Sequence, residues 1–102
     1  MTQLRWLFLN QTHITDAGLK HLEGLTQLRE LKLRGTNATD LGPLSGMTRL
    51  EYQLDLVHTP VTDFSPLHSL KSLRIVHIDK NTPAAQTDAL HRALPDCEID
   101  RQ

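Results

Sequence analysis

Apolar residues recur at alternate positions in four short stretches, as Leu7 with Leu9, Leu31 with Leu33, Leu54 with Leu56, and Val76 with Ile78. That spacing is the period of a half-buried strand. Each stretch opens a register of similar length, beginning at Leu4, Leu28, Leu50 and Leu73, so the chain reads as one motif repeated four times. The ninth position of each register, allowing for one extra residue in the third, is Thr12, Thr36, Thr59 and Asn81. A hydroxyl or amide there falls where the chain must turn, and its side chain can bond backbone groups that no strand pairs with.

Beyond the turn the period changes. Asp16, Asp40 and Asp63 stand where a capping carboxylate accepts the first amides of a helix. In the first register Leu19, Leu22 and Leu25 predict one apolar face of a helix. In the second and third, Gly42-Pro43-Leu44 and Ser65-Pro66-Leu67 put proline at a first helical position in a shorter connection, which predicts a brief helix or 3₁₀ turn. Phe64 is expected in the core. The fourth register ends differently: Thr82-Pro83 predicts the cap and first turn of a helix reaching about Leu94, with Ala85, Ala89, Leu90, Ala93 and Leu94 as its apolar contacts. Pro95-Asp96 stops it, and Cys97 and Ile99 point inward from a last short strand, so a terminal cap covers about 83–99.

The third register is longer because of one residue in the segment Glu51-Tyr52-Gln53. The insertion puts Leu50, Tyr52, Leu54 and Leu56 in strict alternation, so Tyr52 either faces inward or sits on a bulge with its hydroxyl at the rim. Either way the later leucines stay in phase, since a one-residue slip would turn Asp55 into the core.

The stretch "THITDAGLKHLEGLTQL" resembles the longer bacterial type of leucine-rich repeat with a threonine ladder. "ATDLGPLSGM" and "VTDFSPLHSL" resemble the 22-residue internalin type, and "ALPDCEI" is similar to the closing segment of bacterial cytoplasmic members. The resemblance covers nearly the whole chain. It implies a single α/β domain over 1–102: a short right-handed solenoid with parallel strands on a concave face and helices or 3₁₀ turns on the convex face. It also implies a noncatalytic interaction scaffold whose partner is chosen by the variable strand positions, although a fold alone does not settle a function.

With the leucines inward, the residues between them project from the concave face in three rows. Trp6, Glu30, Gln53 and Ile75 form the first; Phe8, Lys32, Asp55 and His77 the second; Asn10, Arg34, Val57 and Asp79 the third. These rows are the candidate protein-binding surface. Phe8 can pair with Lys32, and Lys32 with Asp55. Trp6 and Phe8 place two of the four aromatic residues on one outward face, a residue type enriched among interface hot spots. No device matching the C-terminal cap precedes Leu4, which predicts either that the chain is a piece of a longer solenoid or that two copies join through this edge as a symmetric dimer.

Composition narrows the alternatives. Eleven basic and 12 acidic residues are mixed along the chain for a net charge of -1, so no basic stripe is present to recruit nucleic acid or anionic lipid. No membrane partner is expected. Met1 leads directly into "LRWLFL" without the features of an export leader, and the single cysteine, Cys97, can form no intrachain disulfide, which together point to the cytoplasm. The buried alternation around Cys97 favours a small hydrophobe over a redox thiol. His13, His21, His58, His68, His77 and His91 lack metal-ligand spacing and read as solvated, so no metal or cofactor is expected. Asp55 beside His77 is the one pair suited to acid–base work, but no nucleophile joins it, and an enzyme is not expected.

Overall fold

The alternating leucines form strands where their period places them. The computed structural model describes residues 3–102, so the reading of Met1 and Thr2 as lacking a leader lies outside the described residues. β1 (Trp6–Phe8), β2 (Glu30–Lys32), β3 (Gln53–Asp55), β4 (Ile75–Ile78) and β5 (Glu98–Arg101) make one parallel sheet in sequence order. The register pairs Leu7 with Leu31, Leu31 with Leu54, Leu54 with Val76 and Val76 with Ile99, so one apolar row runs through all five strands. Connections on the other side are α1 (Asp16–Lys20), 3₁₀ turns over Gly42–Leu44 and Ser65–Ser69, and α2 (Ala84–Ala93). Their apolar residues Leu19, Leu41, Leu44, Met47, Phe64, Leu67, Leu70 and Leu90 join the strand leucines in one core.

The turns after β1, β2 and β3 are each closed by a threonine. The hydroxyls of Thr12, Thr36 and Thr59 donate to the carbonyls of Leu9, Leu33 and Leu56 at 2.7, 2.8 and 2.7 Å. Directly before each threonine the backbone is left-handed, with φ of 61° at Gln11, 73° at Gly35 and 60° at His58. Glycine adopts this conformation without steric cost; the other two residues hold it because the turn is over-determined by the ladder. The fourth rung departs from the expectation: Asn81 is exposed, and the chain turns through the Thr82 N–H to the Asp79 carbonyl instead.

Several expectations for the convex side are corrected. α1 is a single turn and holds only Leu19, which is fully buried; Leu22 and Leu25, expected on the same helix, lie beyond it in turns and are partly exposed. Asp40 and Asp63 accept the amides of Gly42 and Ser65, capping their 3₁₀ turns as anticipated. Asp16 does not cap its own helix. Its carboxylate reaches into the next repeat, where it accepts the Thr39 and Asp40 amides at 2.6 and 3.0 Å and the Thr39 hydroxyl. Thr82 does not cap α2, which has Pro83 at its N-cap, and Ala85 faces solvent.

The extra residue of the third repeat is Tyr52. It is 44% exposed, so the inward alternative is wrong, and β3 begins one residue later at Gln53. The amides of Glu51 and Tyr52 both reach the Arg29 carbonyl, as those of Arg29 and Glu30 reach Arg5 where no residue is inserted, and the register from Gln53 onward is intact.

The Asp16 contacts hold its carboxyl below the ordinary value of 3.8, chiefly through the Thr39 hydroxyl and then the Asp40 and Thr39 amides. A depressed carboxyl contributes stability above its unfolded-state pKa and loses it as pH falls through the folded one. Asp16→Asn is therefore expected to lower the urea midpoint at neutral pH. It should also flatten the loss of stability seen when the native protein is taken below pH about 4; equal acid sensitivity in both proteins would refute the clamp.

Candidate functional site

The sheet register sets the concave face. Trp6, Glu30 and Gln53 are neighbours, as are Phe8, Lys32, Asp55 and His77, so the first two rows stand as the alternation predicts. β5 extends them with Glu98 beside Ile75 and Asp100 beside His77. The continuation of "CEI" into Asp100 and Gln102 was missed as part of the face. Its signal lay in the same alternation, with Cys97 and Ile99 inward and the residues between them outward.

Aromatic groups dominate the side of β1. Trp6 is 53% and Phe8 55% exposed, and the Lys32 ammonium lies 4.7 Å from the centre of the Phe8 ring. Such a cation–π contact contributes about 0.5–1 kcal/mol at an exposed site. Lys32 does not pair with Asp55. It lies 3.7 Å from Glu30, and Asp55 is taken by Arg34, whose Nε donates to Oδ2 at 2.9 Å. The other Asp55 oxygen accepts the Val57 amide at 3.1 Å. Asp55 is thus nearly buried, at 6% exposure.

The third row differs from its expected outward placement at one position and is tied down at others. Val57, expected to project, is 1% exposed. The Asn10 side chain accepts the Arg34 amide, and Asp79 accepts the His58 amide, so these two polar groups stitch the loops after the strands. Arg34 also reaches the end of the sheet, donating from Nη2 to Gln102 at 2.6 Å.

His77 is neither solvated nor paired with Asp55. Its Nδ1 lies 2.7 Å from Asp100 and its Nε2 2.8 Å from the Gln53 amide oxygen, with the side chain 14% exposed. Gln53 in turn donates to Glu30 at 2.7 Å. A chain Glu30–Gln53–His77–Asp100 therefore crosses four strands. Nδ1 also lies 3.2 Å from the Gln102 side-chain amide nitrogen, a donor, so that ring nitrogen faces both a carboxylate and an amide while Nε2 faces the Gln53 oxygen. Asp100 is held below its ordinary range by the Gln102 amide and then by His77. The pairing leaves the imidazole no open nitrogen for proton transfer, and the Asp55–His77 dyad considered from sequence is not formed. Burial pushes the Cys97 thiol up to about 11, in keeping with a small hydrophobe.

Because Asp55 is buried against Arg34, Arg34→Ala is expected to leave that carboxylate short of a partner. Stability should fall by about 1–3 kcal/mol in urea unfolding. A change below about 0.5 kcal/mol, the range of an ordinary surface substitution, would show the pair to be incidental.

No protein-family model and no curated protein matches the chain. Solved structures do. An internalin C2 from Listeria monocytogenes superposes with a TM-score of 0.69 at 28% identity, over 97% of this chain and 35% of that one. A leucine-rich repeat protein from Leptospira interrogans gives 0.82 at 24% identity, over 95% of this chain and 25% of that one. A second Listeria internalin gives 0.59 at 24% identity, covering 97% and 34%. The chain thus spans a quarter to about a third of the length of these structures. With its parallel ladder, threonine turns and leucine core, the chain is a short leucine-rich repeat solenoid similar to those of bacterial leucine-rich repeat proteins.

Proposed function

We propose that the protein is a noncatalytic scaffold that binds another protein through its concave face. One observation carries the reading: the exposed large hydrophobic residues, Trp6, Phe8 and Tyr52, occupy the outward side of β1 and the entry to β3, while the leucines beside them are buried or half-buried. Aromatic side chains bring large contact area at low entropic cost, and a cluster on one face is the composition of an interface centre. The polar part of the face supports the same reading. Arg34, Asp55, Gln53, His77 and Asp100 bond one another, so a partner meets an ordered surface and little side-chain freedom is lost on binding. The partner is a protein with apolar anchors and polar groups to match this rim, met in the cytoplasm.

The test is capture of partners by the immobilised full chain, beside a Trp6→Ala, Phe8→Ala double variant. Both residues are more than half exposed, so the variant should keep the parent's urea midpoint, with stability changed by no more than about 0.5 kcal/mol per site. Affinity for a partner bound by the parent should fall about tenfold or more. Undiminished capture by the variant would remove the concave aromatic face from the binding site.

A further inference from the structure

Three arginines that are scattered in the sequence come together in the fold. Arg5, Arg29 and Arg74 each follow the opening leucine of a register, at the place where the chain enters its strand. The sheet stacks these places. The Arg29 amide donates to the Arg5 carbonyl, the Glu51 and Tyr52 amides donate to the Arg29 carbonyl, and the Arg74 amide donates to the Glu51 carbonyl. Carried back from the paired strands, the register sets Arg5, Arg29, Tyr52 and Arg74 in one row along the entry rim of the concave face.

This row is open to a ligand. Arg5, Tyr52 and Arg74 are exposed, and among the described residues no carboxylate pairs with Arg5 or Arg74. Arg29 lies 3.6 Å from Glu51 with both side chains partly exposed, a contact that contributes little and leaves its guanidinium with donors to spare. Trp6 follows Arg5 and is exposed on the aromatic side of the concave face, so the rim is continuous with that surface.

The chemistry of the row selects the ligand. A guanidinium holds a carboxylate through two parallel N–H groups, and arginine is enriched at interface centres for that reason. Arg29 and Arg74 stand two strands apart, about 10 Å, which an extended chain covers between residues i and i+3 at about 3.3 Å per residue. Tyr52, between them, offers a ring to an intervening side chain and a hydroxyl that can donate to a carboxylate. Glu51 and Glu98 stand on the same rim, Glu98 donating its amide to the Arg74 carbonyl. They repel an evenly charged polyanion such as single-stranded nucleic acid, and suit a segment whose few carboxylates are separated by neutral residues.

We propose that the strand-entry rim binds an acidic segment of the protein partner, an extended stretch that crosses the strands with carboxylates three residues apart on Arg29 and Arg74. Arg5 extends the positive row toward Trp6. The rim contact rests on the concave-face reading of the protein and adds the partner's chemistry along one border of that face.

The test titrates the full chain, at low ionic strength, with a capped synthetic peptide carrying two glutamates three residues apart and a leucine between them, followed by NMR. The peptide should shift the Arg29, Tyr52 and Arg74 amide resonances, and should bind more tightly than a peptide of the same composition with the glutamates adjacent. Arg29→Gln with Arg74→Gln should weaken it about tenfold or more. Arg5→Gln with Arg74→Gln, which leaves the Arg29–Glu51 pair in place, should weaken it about threefold or more. No shift at these amides overturns the proposal, as does equal binding of a peptide with glutamine for glutamate. Oligouridylate that shifts the row where the peptide does not also overturns it, and assigns the rim to nucleic acid. A partner captured by the parent separates the two readings. Weakening by Trp6→Ala with Phe8→Ala but not by the Arg29 and Arg74 variant overturns the rim contact alone, whereas indifference to both variants removes the concave face as well.

Discussion

The concave face at β1, β2 and β3 depends on the threonine hydroxyl that closes the turn after each of these strands. A strand of three residues makes too few ladder bonds to hold its own end, and the chain must reverse at once without leaving the last carbonyl unpaired in the core. Thr12, Thr36 and Thr59 meet that demand at Leu9, Leu33 and Leu56, with a left-handed residue just before each to bend the backbone. Each such hydroxyl bond contributes about 0.5–1.5 kcal/mol net, and the Leu9 and Leu33 carbonyls accept the threonine's own amide as well. Once the turn is fixed, the phase of the strand is fixed. Leucines then point in, and Trp6, Phe8, Lys32 and His77 point out.

The phase explains why the surface is both ordered and uneven. Among the described residues β1 is the first strand, where Trp6 and Phe8 are exposed and Lys32 settles over the Phe8 ring. Toward β5 each outward polar residue finds another one strand away, giving Arg34–Asp55 and the Glu30–Gln53–His77–Asp100 chain. The apolar end is available for contact, and the polar end sets shape and charge around it. Tyr52, displaced outward by the one-residue insertion, adds a third aromatic near the entry of the strands without disturbing the leucines that follow.

Much of this was legible in the chain because alternation in a strand is a strong signal. The four registers, the first two concave rows and the 3₁₀ turns at Pro43 and Pro66 follow from local pattern alone. What was missed depends on neighbours in space. Asp16 resembles Asp40 and Asp63 in sequence, yet the long first repeat directs its carboxylate to Thr39 and away from its own helix. Asp55 was expected to meet Lys32 or His77 by row, but Arg34 reaches it across rows, because a guanidinium on a long stem has more bonding choices than a one-dimensional row can express. Val57 lies past the end of β3, where alternation no longer governs which way a side chain points.

The ladder can be tested at its most buried rung, Thr36, which is 2% exposed. Equilibrium urea unfolding of Thr36→Val, with Thr36→Ser as the hydroxyl-retaining control, separates the hydrogen bond from the shape of the side chain. The account predicts that the valine variant loses about 0.5–1.5 kcal/mol and the serine variant less than half as much. A valine variant as stable as the parent would contradict it, since the turn would then be held by the Thr36 backbone amide on the Leu33 carbonyl without the hydroxyl.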